Sequence, residues 1–250
     1  MKLKITKHTF LKAFPLQSTE QTGIPSALLT VSAGDEFEIK SAAPYEGAPS
    51  SGSGDHVYVQ LANPPKDSDQ LRWFVYGPHA KLEGTEPDNN PQDRIAVRNA
   101  GPKISIPGIS ALVGVDQPIY AGSNFTWAEL TKGGSRVPVN ATVTGRIVQI
   151  ARYMDKVREF LGNKPIRVTS GYRDPKSNRN VGGARDSRHM YGDAVDFWVE
   201  GMNVVDTFYK LKQYHPNGGL AVGNGFVHLD LRPGAPARWT YRGGPRVDLW

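Results

Sequence analysis

Two short apolar segments near the end of the chain carry ionisable side chains where core residues belong, and no other feature restricts the fold as strongly. In Ala194-Val195-Asp196-Phe197 the carboxylate of Asp196 sits mid-strand between apolar neighbours, a costly position unless the group is paired or binds a metal. In Gly225-Phe226-Val227-His228-Leu229-Asp230, strand alternation places Phe226, His228 and Asp230 on one face and Val227 and Leu229 on the other. Two strands therefore each present polar groups from an apolar context.

A third polar group lies close in sequence. His189 precedes Asp196 by seven positions within Ser187-Arg188-His189-Met190-Tyr191-Gly192-Asp193-Ala194-Val195-Asp196, and Gly192 allows a tight turn between them. The chain has no cysteine. That excludes disulfide staples, thiolate zinc sites, iron–sulfur clusters and a cysteine nucleophile, so any metal must sit on histidine and carboxylate. Catalytic zinc commonly takes three such ligands and keeps a fourth position for water. His189, Asp196 and His228 supply such a set, although each alone is more often a satisfied polar group. His8, His56 and His79 have no acidic or histidine partner at ligand spacing and read as ordinary surface or strand histidines. His215 precedes Pro216 at a helix end, where a cation is favoured.

The rest of the chain sets the frame for these groups. It holds 27 glycines and 19 prolines among 250 residues, which implies many turns and short strands. Residues 1–90 carry 8 basic and 11 acidic side chains and residues 91–250 carry 22 and 13, so the basic surface belongs to the second half. Short strands are expected at Ala27–Val31, Glu36–Ile39, His56–Leu61 and Leu71–Val75, separated by turn clusters at Gly47–Asp55 and Asn63–Asp69. The polar stretch Gly84–Gly101 has no sustained apolar period and reads as linker. Beyond it, Val143, Ile147, Ile150, Met154, Val157 and Leu161 recur at spacings of three or four and predict a helix over Thr142–Leu161, stopped by Gly162. Strands are expected at Pro165–Tyr172, Ala194–Val199, Gly225–Leu231 and Arg238–Tyr241, with a helix at Val204–Tyr214. A helix on a small antiparallel sheet makes the class α+β. The expected division is a small all-β domain over 1–90, a linker over 91–115 and a second domain over 116–250.

Thr169-Ser170-Gly171-Tyr172-Arg173, Asn178, Val181-Gly182-Gly183, the Ser187–Asp196 run and Phe226-Val227-His228-Leu229-Asp230 resemble the zinc D-alanyl-D-alanine carboxypeptidase family. The resemblance covers about Phe125 to Tyr241, and Phe125-Thr126-Trp127-Ala128-Glu129 resembles the stretch by which such domains begin. It implies a Hedgehog/DD-peptidase-like antiparallel sheet with helices, with zinc held by His189, Asp196 and His228. It also implies that Arg173 binds a substrate carboxylate or carbonyl, for which a guanidinium offers a planar fork. The alternative for Arg173 is an exposed loop charge. Ser187 would bond near the ligands or the substrate, or is a turn serine. Several members of the wider family carry an acidic general base three residues before the last histidine, where this chain has Gly225, and often a histidine two before, where it has Phe226. Asp230 is the nearest acid on the correct face and the candidate base; alternatively it orients His228 or pairs with Arg232. Asp193 and Glu200 are the next candidates. The first half, ending in Trp73-Phe74-Val75-Tyr76, resembles bacterial SH3-like modules that accompany wall-acting enzymes.

The expectation is a zinc-dependent peptidase that hydrolyses peptidoglycan stem peptides by metal-activated water, of the D-Ala-D-Ala carboxypeptidase or the L-Ala-D-Glu endopeptidase type. Its expected partner is the peptidoglycan peptide, with no nucleic acid, no membrane span and a monomeric chain. It would act on the cell wall, in the periplasm or outside the cell, although the N-terminus lacks the apolar stretch of about 7–15 residues that marks a signal peptide. The rival from another class is a noncatalytic, zinc-containing wall- or partner-binding module, which the absent acid at Gly225 favours. A basic nucleic-acid binder has only the charge and scattered aromatics in its support.

Overall fold

A computed structural model describes residues 1–12, 28–44, 56–66, 68, 71–84, 101–120 and 122–250. They fall into two compact units, Met1–Val113 with Tyr120–Gly122 and Gly114–Ile119 with Ser123–Trp250. Most of Gly84–Gly101, the Gly47–Asp55 turn cluster, part of Asn63–Asp69 and the expected strand start at Ala27 lie outside the described residues.

The first unit is built from strands β1 (Lys2–Ile5), β2 (Thr9–Lys12), β3 (Leu28–Val31), β4 (Glu36–Pro44), β5 (His56–Leu61), β6 (Arg72–Tyr76) and β7 (Ala80–Glu83). They pair antiparallel in the order β3-β2-β6-β5-β4-β1-β7. Alternation sends Leu3, Ile5, Leu11, Val59, Leu61, Trp73 and Val75 into one apolar core, which is the main stabilising term for a sheet of this kind. β1 shows the same alternation in miniature, with lysines at 2 and 4 facing Glu36 at 3.1 and 3.5 Å. Two further strands, β8 (Lys103–Ile106) and β9 (Ile109–Gly114), form a small separate sheet. They lie inside the 91–115 stretch read as linker. Four and six residues are too few to show a period, but Ile106 and Ile109 are buried.

The second unit is α+β. Its sheet runs β10 (Ile166–Ser170), β11 (Ala194–Val199), β13 (Val227–Asp230), β12 (Gly219–Val222) and β14 (Ala237–Thr240) in spatial order. All neighbours are antiparallel except β12 and β14, which are parallel. Five helices accompany it: α1 (Trp127–Thr131), α2 (Ala141–Phe160), α3 (Pro175–Asn180), α4 (Arg188–Tyr191) and α5 (Val204–Tyr214). α2 starts where the Asn140 side chain accepts from the Val143 N–H, and it buries the predicted stripe Val143, Ile147, Ile150, Met154 and Val157. α5 is capped by Asn203 and buries Phe208 and Leu211. β12 escapes a sequence reading because all four of its residues are buried and no alternation marks it. No described helix is long and apolar enough to cross a membrane.

Candidate metal centre

The register of the second sheet creates the centre. β11 and β13 pair so that Asp196 stands directly opposite His228 and Ala194 opposite Asp230. Directly opposed residues project from the same face. The same row continues from Ser170 on β10 through Asp196 and His228 to Ala221 on β12 and Trp239 on β14. Ala221 is small enough for the Trp239 ring to reach across it to His228, with ring centroids 5.1 Å apart.

His189 arrives from another direction, on the single turn of α4. That turn ends at Gly192 in the left-handed conformation, φ +80°, and the chain then enters β11. The backbone around it is locked to the end of β10: Arg173 N–H donates to the His189 carbonyl at 3.1 Å, and Tyr172 N–H donates to Leu130 of α1 at 2.8 Å. Buried Asn178 pins the intervening loop by donating to the Ala184 carbonyl at 2.8 Å. Of the family-like motif, Asn178 therefore serves the loop rather than the chemistry.

His189, Asp196 and His228 are all buried and offer ligand atoms within 4.8 Å of one another. Asp196 Oδ1 lies 2.7 Å from His228 Nδ1 and its Oδ2 lies 3.2 Å from His189 Nε2. The two facing ring nitrogens are 3.3 Å apart. Each imidazole is oriented through its other nitrogen. His189 Nδ1 meets the Gly171 carbonyl at 2.7 Å, and His228 Nε2 meets Asp230 Oδ2 at 3.0 Å. A carbonyl accepts only from an N–H, so His189 Nε2 is left as a lone-pair donor. The Asp230 carboxylate imposes the same tautomer logic on His228, freeing Nδ1.

Electrostatics reinforce this arrangement. Burial alone would raise the Asp196 carboxyl, but His189 and His228 hold it well below the usual carboxylate range. Burial depresses His189 against the pull of Asp196. Burial also disfavours a charged His228, yet its hydrogen bonds to Asp196 and Asp230 outweigh that and raise it. Two imidazole nitrogens, each with a support behind it, and one carboxylate match the donor set of a catalytic zinc site with an open position. The residues fit the ion.

Asp230, the candidate base, is enclosed by its own partners. It has no exposed surface. Its Oδ1 accepts from the Gly219 and Arg232 backbone N–H groups, both at 3.0 Å, and the Arg232 guanidinium binds both oxygens. Gly219 makes room for this, since a Cβ there would lie 2.2 Å from Asp230 Oδ2. All lone pairs of the carboxylate are thus engaged by the protein. Asp193 is likewise taken up by Arg188, and Glu200 is bound to Arg167 at 2.6 Å at the far end of β11.

Arg173 lies beside the cluster, its Nη2 3.9 Å from Asp196 Oδ2 and its side chain 13% exposed. Ser187 occupies the position before α4 without a side-chain capping bond. His215 differs from the cation expected at a helix end. It is buried, its Nε2 donates to the Asp230 carbonyl at 3.1 Å, and its Nδ1 accepts from the Tyr153 hydroxyl at 2.8 Å. Burial lowers it, so it is neutral. Sequence reasoning also missed Trp239 and Tyr241. Tyr241 packs on Phe226 and His228, with centroids 5.2 and 6.1 Å apart, and burial next to Asp196 pushes its phenol up to about 12. Only the parallel β12–β14 pairing brings these rings to the site, and no local pattern encodes it.

Part of this chain is similar to known proteins. Residues 120–230 match the Peptidase M15 family. Over 118 residues the chain is 40% identical to the zinc D-Ala-D-Ala carboxypeptidase of Streptomyces albus G, a match that covers 45% of this chain and 42% of that protein. The shared segment is thus less than half the length of this curated relative.

Proposed function

We propose, because residues 120–230 match the Peptidase M15 family, that this chain is a zinc metallopeptidase that hydrolyses stem peptides of peptidoglycan. The observation that carries the proposal is the buried His189, Asp196 and His228 cluster, with each histidine aimed by its own support. Bound zinc would supply Lewis acidity toward the scissile carbonyl and lower the pKa of water at the open position.

The protein's own groups account for the rest. Asp230, clamped by Arg232, positions His228 and takes no part in moving a proton, because it has no free oxygen. Arg173 offers its fork to an oxygen of the substrate. Tyr241 stays protonated throughout the neutral range and is a hydroxyl donor at the same wall. Ser187, with no capping bond to make, is available to the bound peptide. The bond cut is of the D-Ala-D-Ala or L-Ala-D-Glu type, and the site of action is the cell wall. In this reading the seven-stranded sheet of the first unit is an SH3-like module that directs the enzyme to that polymer.

One observation favours a second reading, a noncatalytic zinc module. Gly225 stands where an acidic residue would be expected, in the tight Gly223–Phe226 connection, and its φ of +84° disfavours any side chain there. The deciding experiment measures zinc content and the release of D-Ala or new amino groups from purified peptidoglycan, for the wild type and His189→Ala. One zinc per chain with release abolished in the variant is the expected result. Zinc without turnover would establish the noncatalytic module, and a chain that binds no zinc would overturn the ligand set.

A further inference from the structure

Arg173 lies next to the metal cluster and Arg136 reaches the backbone of the residue before it, and the protein leaves both guanidinium groups under-occupied. Arg173 makes one ion-pair contact, at 3.9 Å and so beyond hydrogen-bond length, to an aspartate already engaged by two histidines. Its Nε is buried without a hydrogen-bond partner. Arg136 makes a single side-chain hydrogen bond among the described residues, from Nη1 to the carbonyl of Tyr172 at 3.4 Å, and has no acidic partner among them. That carbonyl belongs to the residue immediately before Arg173. Burial is the main reason a charged Arg173 is less favourable, and the Arg136 charge adds to it.

The loop that carries Arg136 is built rather than loose. The Thr131 hydroxyl accepts from Gly134 N–H at 3.1 Å, and Arg136 N–H donates to the Thr131 carbonyl at 2.9 Å. α1 itself is tied to the site through Leu130, whose carbonyl accepts from Tyr172 N–H. Arg136 reaches the carbonyl of the residue that precedes Arg173, and both guanidiniums keep donors that the protein does not fill, so the pair is a place for an anion. Paired guanidiniums of this kind are suited to a carboxylate.

We propose that Arg136 is the second half of a two-guanidinium clamp with Arg173, and that the clamp binds the free carboxylate of the residue on the amine side of the cleaved bond. The inference rests on the peptidase reading and narrows its substrate. Both candidate bonds carry such a group: a terminal D-Ala has the chain-end carboxylate, and a D-Glu joined through its side chain keeps its α-carboxylate. Peptides in which this carboxylate is an amide should be poor substrates.

The test uses the full chain loaded with zinc and two pairs of synthetic peptides. One pair ends in D-Ala-D-Ala with a free carboxylate or a carboxamide, and the other contains L-Ala-D-Glu with the α-carboxylate free or amidated. Whichever pair is cleaved identifies the source of the carboxylate. In Arg136→Gln, kcat/KM on the free-carboxylate peptide should fall about tenfold or more, mostly through KM, as expected for the loss of a charged hydrogen-bond partner. The amide should be nearly unaffected, and Arg136→Lys should recover part of the loss. Equal loss on both members of a pair, or no loss, would overturn the clamp, and so would a loss explained by a lowered melting temperature. If the wild type cleaves neither pair, the peptidase reading fails, and the clamp is decided by calorimetric binding of the same peptides. A preference for the carboxylate that disappears in Arg136→Gln would then support it, and no preference would overturn it.

Discussion

The two sheets of this molecule use the same strand alternation to opposite ends. In the seven-stranded sheet, inward positions hold Leu3, Ile5, Leu11, Leu61, Trp73 and Val75, all at most 1% exposed. Their attraction is non-directional and scales with the area buried. In the five-stranded sheet, Asp196 and His228 are also buried, at 8% and 3% exposure, but their polar atoms each need a particular partner at a particular distance. The first sheet should tolerate conservative repacking, whereas the second should fail by losing one hydrogen bond. Stability and function are thus written in different chemistry on similar backbones.

The largest effect expected from this contrast comes from a ligand. His189→Ala or Asp196→Asn should abolish stoichiometric zinc in metal analysis of the purified protein and remove activity with it. Next comes the support behind the ligands: Asp230→Asn should weaken zinc binding about 10–100-fold in a chelator competition, the usual cost of losing a carboxylate behind a metal-bound histidine. Unchanged affinity would show that His228 holds its orientation without Asp230. In the first sheet, Leu61→Ala should destabilise the unit by about 2–5 kcal/mol in denaturant unfolding, with zinc content unchanged. Loss of zinc in that variant would break the proposed separation of roles.

The smallest effect concerns pH. Burial holds His215 below its ordinary value in the folded chain, so as pH falls the unfolded chain takes up the proton first. The associated stability is present above about pH 6.5 and is lost below it. The melting temperature of the wild type should therefore drop between pH 7 and 5, and the drop should be shallower in His215→Gln.

Much of this arrangement is legible along the chain. The three- and four-residue spacing of Val143 through Val157 predicts α2, and the mid-strand placement of Asp196 and His228 marks them as groups in need of partners. Less legible are features that depend on contacts distant in sequence. Asp230 and His228 share a face as alternation requires, but only Gly219 and Arg232 closing around the carboxylate occupy its oxygens. His215 reads as a helix-end cation and is instead a neutral bridge between Tyr153 and Asp230. Arg136 has no sequence signal at all, because its meaning comes from the Tyr172 carbonyl 36 residues away.

Residue chemistry and local periodicity settle where strongly periodic elements such as α2 form and which atoms can donate to a metal, because both depend on neighbours within one or two turns of chain. Which donors face one another is a matter of cross-strand register and of the angle at which α4 meets β11, and those are set by the packing of the whole sheet. A slip of one residue between β11 and β13 would keep every predicted strand and turn His228 away from Asp196. The ligands are local facts, and the centre they make is a tertiary one.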